Sequence, residues 1–76
     1  MKTYIFKAEL DQEEDGRWSS WVEALPGCAA WGYTEEEALA ALRAAAEVYI
    51  EDLLESGEAL PEEVEVREAR VIAVTV

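Results

Sequence analysis

Apolar and polar residues alternate over Lys2–Leu10, and this period of two predicts a first β-strand with one buried face. The residues on that face are Tyr4, Phe6, Ala8 and Leu10. A charged segment, Asp11–Gly16, follows and ends in Asp-Gly, a dipeptide typical of a hairpin turn. A second strand is predicted over Arg17–Glu23, where each face carries one tryptophan. We therefore expect the second face of the sheet to be covered as well.

The next stretch predicts a turn, a short strand and a long helix. Pro26-Gly27 favours a type II turn, because proline presets φ and glycine accepts a positive φ. The chain then runs extended over Cys28–Trp31. Apolar residues recur at helical spacing from about Glu35 to Ser56, and Gly57 is a typical residue after the end of a helix. The apolar positions of the helix are Ala38, Leu39, Leu42, Ala45, Ala46, Tyr49, Ile50, Leu53 and Leu54.

The predicted helix begins with the pattern of a capping box, formed by Thr34 and Glu37. In this motif the Thr34 hydroxyl accepts a hydrogen bond from the Glu37 N–H, and the Glu37 carboxylate accepts one from the Thr34 N–H. Three glutamates in the first turn also complement the positive end of the helix dipole. The helix is therefore expected to begin directly after Thr34, once the strand segment has ended.

Residues 64–76 are rich in valine and predict a final strand. The element order is then β-β-β-α-β: an α+β fold with a three-stranded antiparallel meander, a fourth C-terminal strand and one long helix on one face. If the fourth strand lies beside the first, the helix forms a parallel crossover, which is expected to be right-handed. The other face would carry an apolar patch larger than monomers usually expose, and a homodimer would cover it. This patch consists of Ile5, Trp21, Val71 and Ala73.

The charge of the chain narrows the choice of partners. Its 76 residues include 18 acidic and 6 basic side chains, a formal net charge of −12. This charge disfavours contact with nucleic acid or an anionic membrane and favours a basic protein partner, although solubility alone is another explanation. The length predicts one domain, residues 1–76. Neither a signal peptide nor a membrane-spanning run is recognisable, so a cytoplasmic location is expected.

Residue types with chemical reactivity are scarce, and no catalytic, metal or cofactor site is expected. Cys28 has no histidine nearby to act as a base, which favours a buried packing role for its thiol. Binding is a better prospect than catalysis, because aromatic residues often anchor protein interfaces. The candidate residues for a partner or dimer interface are Trp18, Trp21, Trp31 and Tyr33. At least two of them are expected in the core or a dimer interface, and Trp31 and Tyr33 are the candidates for contact with a partner.

Several of these segments together resemble the N-terminal domain of HicB-like antitoxins. The resemblance rests on the Asp15-Gly16 hairpin, Leu25-Pro26-Gly27-Cys28, Gly32-Tyr33-Thr34, Glu36-Glu37-Ala38 and the helix end Glu51–Gly57. It implies a partial ribonuclease H-like fold that forms dimers or larger oligomers. It also implies neutralisation of a small basic HicA-like toxin, an mRNA-cleaving ribonuclease, through direct protein–protein contact.

One departure from the family pattern concerns DNA binding. Many HicB-like proteins continue into a helix-turn-helix or ribbon-helix-helix domain, whereas residues 58–76 predict only a loop and a strand. Operator binding by this chain alone is therefore not expected. The expected mechanism is occlusion, in which an acidic, aromatic-bearing surface covers the RNA-binding face of the toxin.

Two other functions are compatible with the sequence. One is an orphan oligomeric domain that binds another protein or a small ligand. The other is a metal-dependent nuclease, which a ribonuclease H-like fold suggests. The nuclease is disfavoured because the first-strand positions for an acidic ligand hold Tyr4, Phe6 and Ala8.

Overall fold

Five strands and one helix make up the fold over residues 3–59 and 70–76, the part of the chain that the computed structural model describes. In chain order they are β1 (Thr3–Lys7), β2 (Glu9–Gln12), β3 (Trp18–Trp21), β4 (Ala29–Gly32), α1 (Glu35–Ser56) and β5 (Val71–Thr75). The α+β class and the bounds of the helix are confirmed. Residues 64–69 of the predicted last strand lie outside the described residues.

The predicted first strand is divided at Ala8 into β1 and β2, which pair with different strands. β2, β3 and β4 form the expected antiparallel meander. β1 pairs instead with β5, and the Ala8 N–H extends this ladder by donating to the Arg70 carbonyl oxygen at 2.9 Å. The arrangement is thus a three-stranded meander plus a C-terminal strand that is held by the beginning of the chain.

The direction of the last strand differs from the expectation. β5 lies beside β1, but the two strands are antiparallel, with Thr3 opposite Thr75 and Lys7 opposite Val71. The expected parallel crossover is therefore wrong. Fourteen residues, 57–70, lie between α1 and β5 in the sequence, and a chain of that length can span up to about 46–50 Å. The strand direction was therefore not determined by the helix.

The core lies between the helix and one face of the strands. The buried stripe of α1 repeats every fourth residue and consists of Ala38, Leu42, Ala46 and Ile50. It meets the buried side chains Tyr4, Phe6, Ala8, Val22, Leu25, Cys28, Ile72 and Val74. The stripe ends at Ile50, and Leu54, one turn further on, is 49% exposed although its position follows the same spacing.

The helix start is capped largely as predicted. The Thr34 hydroxyl accepts a hydrogen bond from the Glu37 N–H at 3.1 Å. The Glu37 carboxylate, however, accepts from the Tyr33 N–H at 2.8 Å rather than from the Thr34 N–H. β4 ends at Gly32, which leaves the Tyr33 N–H outside the strand ladder and available for this bond. The cap therefore also fixes the segment that joins β4 to α1.

Two small residues bring the first turn of the helix close to the meander. The buried Ser20 hydroxyl donates to the Ala38 carbonyl oxygen at 2.9 Å. Gly32 lies so near the helix that a β-carbon on it would meet the Ala38 backbone nitrogen at 2.5 Å and the Glu37 carbonyl carbon at 2.7 Å. β4 and α1 are thus in backbone contact, which sets the position of the residues that follow Gly32.

Candidate functional site

Two of the four predicted aromatic residues lie together on the surface beside the start of the helix. Trp31 is 51% exposed and Tyr33 is 70% exposed. Their ring centroids are 5.3 Å apart and their planes meet at 84°, an edge-to-face arrangement. Such pairs are favourable beyond the area that they bury. We refer to Trp31 and Tyr33 as the aromatic pair.

The other two candidates lie elsewhere on the meander, and both are half-buried. Trp18 stands opposite Gly32 in the ladder and shares the face of Ser20, which points to the helix. Trp21 stands opposite Ala29 and shares the outer face with Trp31. The structure therefore separates Trp18 from the aromatic pair, and the interface role of all four residues stays a prediction.

A charged residue that the sequence analysis did not connect with this site stacks on the aromatic pair. The Arg17 guanidinium carbon lies 5.3 Å from the ring centroid of Trp31, a cation–π distance. Arg17 is two residues before Ser19, which stands opposite Trp31, so the two side chains are diagonal neighbours on one face. The register of the meander, once known, would have revealed this contact.

Asp15 holds Arg17 in this position. The Arg17 Nε donates to Asp15 Oδ2 at 2.7 Å, and the Arg17 backbone N–H donates to Oδ1 at 3.1 Å. The backbone hydrogen bond from Arg17, assisted by the guanidinium, lowers the pKa of the Asp15 carboxyl below 3.8. The carboxylate therefore remains charged at neutral pH, and the guanidinium keeps its partner.

The hairpin between β2 and β3 forms one wall of an open cleft of about 600 Å³. Its lining residues are Glu13, Glu14, Asp15, Arg17, Ser19 and Trp31. Gly16 makes the turn with a φ of +93° and donates its N–H to the Glu13 carbonyl oxygen at 2.9 Å. The Ser19 hydroxyl donates to the Glu13 carboxylate at 2.6 Å. Three carboxylates and one guanidinium thus line the cleft, and their summed charge is negative.

A second surface is apolar rather than acidic. It is the outer face of the β1–β5 pair, which we call the ribbon face: Thr3, Ile5, Lys7, Val71, Ala73 and Thr75. Ile5 and Val71 are each 44% exposed, as the sequence pattern indicated. The one charged member, Lys7, lies 3.2 Å from the carboxylate of Glu9. Trp21, assigned to the same patch, is half-buried at the end of β3.

The chemistry of the remaining side chains offers little else. Cys28 is buried, and this burial raises the pKa of its thiol above the usual value of 9.0. Within residues 3–59 and 70–76, no three or more aspartate, glutamate, cysteine or histidine side chains are grouped so that they could hold a metal ion. In the same part of the chain, no helix combines the length and apolar character needed to cross a membrane.

Comparison with solved structures identifies the fold. The N-terminal domain of the antitoxin HicB from Burkholderia pseudomallei superposes with a TM-score of 0.74 at 22% identity, covering 95% of this chain and 96% of that one. The structure of the antitoxin HicB from the same organism gives a TM-score of 0.70 at 21% identity, covering all of this chain and 64% of that one. At these identities the likeness concerns the fold alone.

Comparison of sequences identifies the class. The UPF0150 protein Ta0767 of Thermoplasma acidophilum is 40% identical over 52 residues, which is 68% of this chain and 75% of that protein. A model of the HicB-like antitoxin of bacterial toxin–antitoxin systems matches residues 6–72. The family model defines the class, an antitoxin of a bacterial toxin–antitoxin system. The chain belongs to the HicB-like antitoxin family.

Proposed function

We propose that this chain neutralises a small basic HicA-like toxin, an mRNA-cleaving ribonuclease, by covering the toxin's RNA-binding surface. The observation that carries the proposal is the exposed aromatic pair beside an acidic cleft. A surface that binds RNA must be basic, because it faces phosphates. An acidic partner with aromatic anchors is therefore suited to compete for that surface.

The ion pairs within the folded chain support a basic partner. Three basic side chains, Lys7, Arg17 and Arg70, are each paired with a carboxylate of the same molecule. With 18 acidic residues against 6 basic ones, most carboxylates have no cation available within the chain. A basic partner supplies the missing charge, and steering by this charge raises the association rate.

Co-expression with any short basic protein that is encoded beside this gene tests the proposal. We expect growth to be restored and the two chains to elute as one complex. The association rate should fall as salt is added, because screening weakens electrostatic steering. Unrelieved toxicity, together with separate elution of the two folded chains, would contradict it. A gene without such a neighbour would favour an orphan domain that binds another ligand.

We further propose that a second copy of the chain covers the ribbon face. Self-association of a chain with a net charge of −12 must use a surface that carries little charge. On the ribbon face the charge of Lys7 is balanced by Glu9, whereas the solvent-facing side of the helix carries the exposed carboxylates of Glu51 and Glu55. Exposed Ile5 and Val71 supply the apolar area that such an interface needs.

Light scattering at high micromolar concentration is expected to give a dimer or a larger oligomer. Val71→Asp should shift the protein towards the monomer, because the change places a charge on the ribbon face. Val48→Asp is the matched control, since Val48 is 59% exposed on the helix, away from this face. A monomeric parent protein, or equal effects of the two variants, would rule out this interface.

A further inference from the structure

We propose that the cleft between the β2–β3 hairpin and Trp31 receives an arginine side chain of a basic protein partner. In the free protein, Arg17 of the same chain occupies part of this cleft. The nature of the partner rests on the proposed function, whereas the selectivity of the cleft for a guanidinium group is independent of it.

The position of Arg17 shows that the cleft fits a guanidinium group. One face of the group stacks on Trp31, with 5.3 Å between the guanidinium carbon and the ring centroid. Its Nε donates to the Asp15 carboxylate at 2.7 Å. A planar aromatic face and a carboxylate are the two features that arginine uses and that the compact ammonium group of lysine uses less well.

The cleft contains negative charge that Arg17 does not neutralise. Among the described residues, the partner of the Glu13 carboxylate is the neutral hydroxyl of Ser19, so the negative charge of Glu13 is not balanced there. Glu14 makes no hydrogen bond or ion pair with any residue in the described ranges 3–59 and 70–76. Both residues line the cleft, whose volume of about 600 Å³ is open to solvent. A second guanidinium group would find uncompensated carboxylates there.

The ion pair between Asp15 and Arg17 is weak enough for the guanidinium group of a partner to replace Arg17. Both Asp15 and Arg17 are about half-exposed, and such surface ion pairs contribute little because water and salt screen them. The aromatic pair also stays largely uncovered while Arg17 is in place, since Trp31 and Tyr33 are 51% and 70% exposed. A partner that brings an arginine together with apolar contacts would bury this area. Phosphate groups of RNA, in contrast, would be repelled by the carboxylates.

The test uses the 76-residue chain and two peptides of equal charge, N-acetyl-hexaarginine amide and N-acetyl-hexalysine amide. The Trp31 indole N–H signal in NMR spectra reports binding at low salt. We expect hexaarginine to bind about two- to fivefold more tightly than hexalysine, the range of an exposed cation–π contact. Trp31→Leu, which keeps an apolar side chain but removes the aromatic face, should abolish this preference, with the backbone signals of β2 and β3 as the reporter.

A pair of arginine variants separates occupation of the cleft from general electrostatics. Arg17→Gln and Arg43→Gln each remove one positive charge, but Arg43 lies on the exposed side of the helix. We expect Arg17→Gln to raise the affinity for hexaarginine about two- to fivefold more than Arg43→Gln does, because only the former vacates the stacking position. Equal effects of the two changes would overturn the proposal. Equal binding of the two peptides would overturn it as well.

The outcome is distinguishable from that of the proposed function. Selective binding of hexaarginine without capture of a toxin would support the arginine site and contradict the proposed antitoxin function. If the protein captured a toxin equally well with and without Trp31→Leu, and bound the two peptides equally, the antitoxin function would be supported. The arginine site would be contradicted.

Discussion

Replacing Leu42 by alanine is expected to lower the free energy of unfolding by about 2–5 kcal/mol, the range for a leucine truncated in a packed core. Leu42 is fully buried and lies in the middle of the helical stripe that meets the strands. A chain of 76 residues has a total stability of only about 4–11 kcal/mol, at about 0.05–0.15 kcal/mol per residue. The variant should therefore lose a large part of its stability.

Urea denaturation followed by circular dichroism measures this loss. Leu54→Ala is the matched control, since it removes the same atoms from the same helix at a residue that is 49% exposed. Its expected cost is about 1 kcal/mol or less, as for changes outside the core. Similar midpoints for the two variants would show that the helix does not pack through the stripe described here.

Replacing Gly32 by alanine is expected to cost about 3 kcal/mol or more, at the upper end of the range for overpacking. The added methyl group would meet backbone atoms of Glu37 and Ala38, the nearest at 2.5 Å, and backbone cannot rotate away as a side chain can. β4 and the first turn of α1 would have to separate. The change should therefore also disturb the aromatic pair, because Trp31 and Tyr33 flank Gly32.

Gly16→Ala separates this clash from backbone strain. Gly16 has a φ of +93°, but a β-carbon there would meet nothing within 4 Å. Its cost should be about 1–2 kcal/mol, that of a left-handed conformation in a residue with a side chain. The two variants are compared by thermal unfolding. If Gly32→Ala were no more costly than Gly16→Ala, the close approach of strand and helix would be excluded as a constraint.

The elements that the sequence predicted well depend on local signals. Thr34 and Gly57 mark the two ends of the helix, and the Gly57 N–H donates to carbonyl oxygens of the last turn, with Gly57 in the left-handed conformation. Asp15-Gly16 marks the hairpin, and alternation places Tyr4 and Phe6 inside while Ile5 stays outside. Each of these features is decided by residues within a few positions of each other.

The features that the sequence did not predict depend on long-range pairing. Neither the division of the first strand at Ala8 nor the antiparallel direction of β5 has a local cause, since both follow from pairing across the length of the chain. The contact of Arg17 with Trp31 also requires the register of two strands. The carboxylates of the hairpin, which the sequence marked only as a charged turn, therefore line the candidate site.

The pairing of β1 with β5 has a consequence during synthesis on the ribosome. Thr3 and Thr75, whose hydroxyls lie 3.0 Å apart, are separated by 72 positions in the chain. The strands of the meander pair only with residues that are made earlier, but β1 cannot meet its partner until residues 71–75 exist. The ribbon face is consequently absent from the nascent protein. Any association through it is restricted to chains whose translation has passed Thr75.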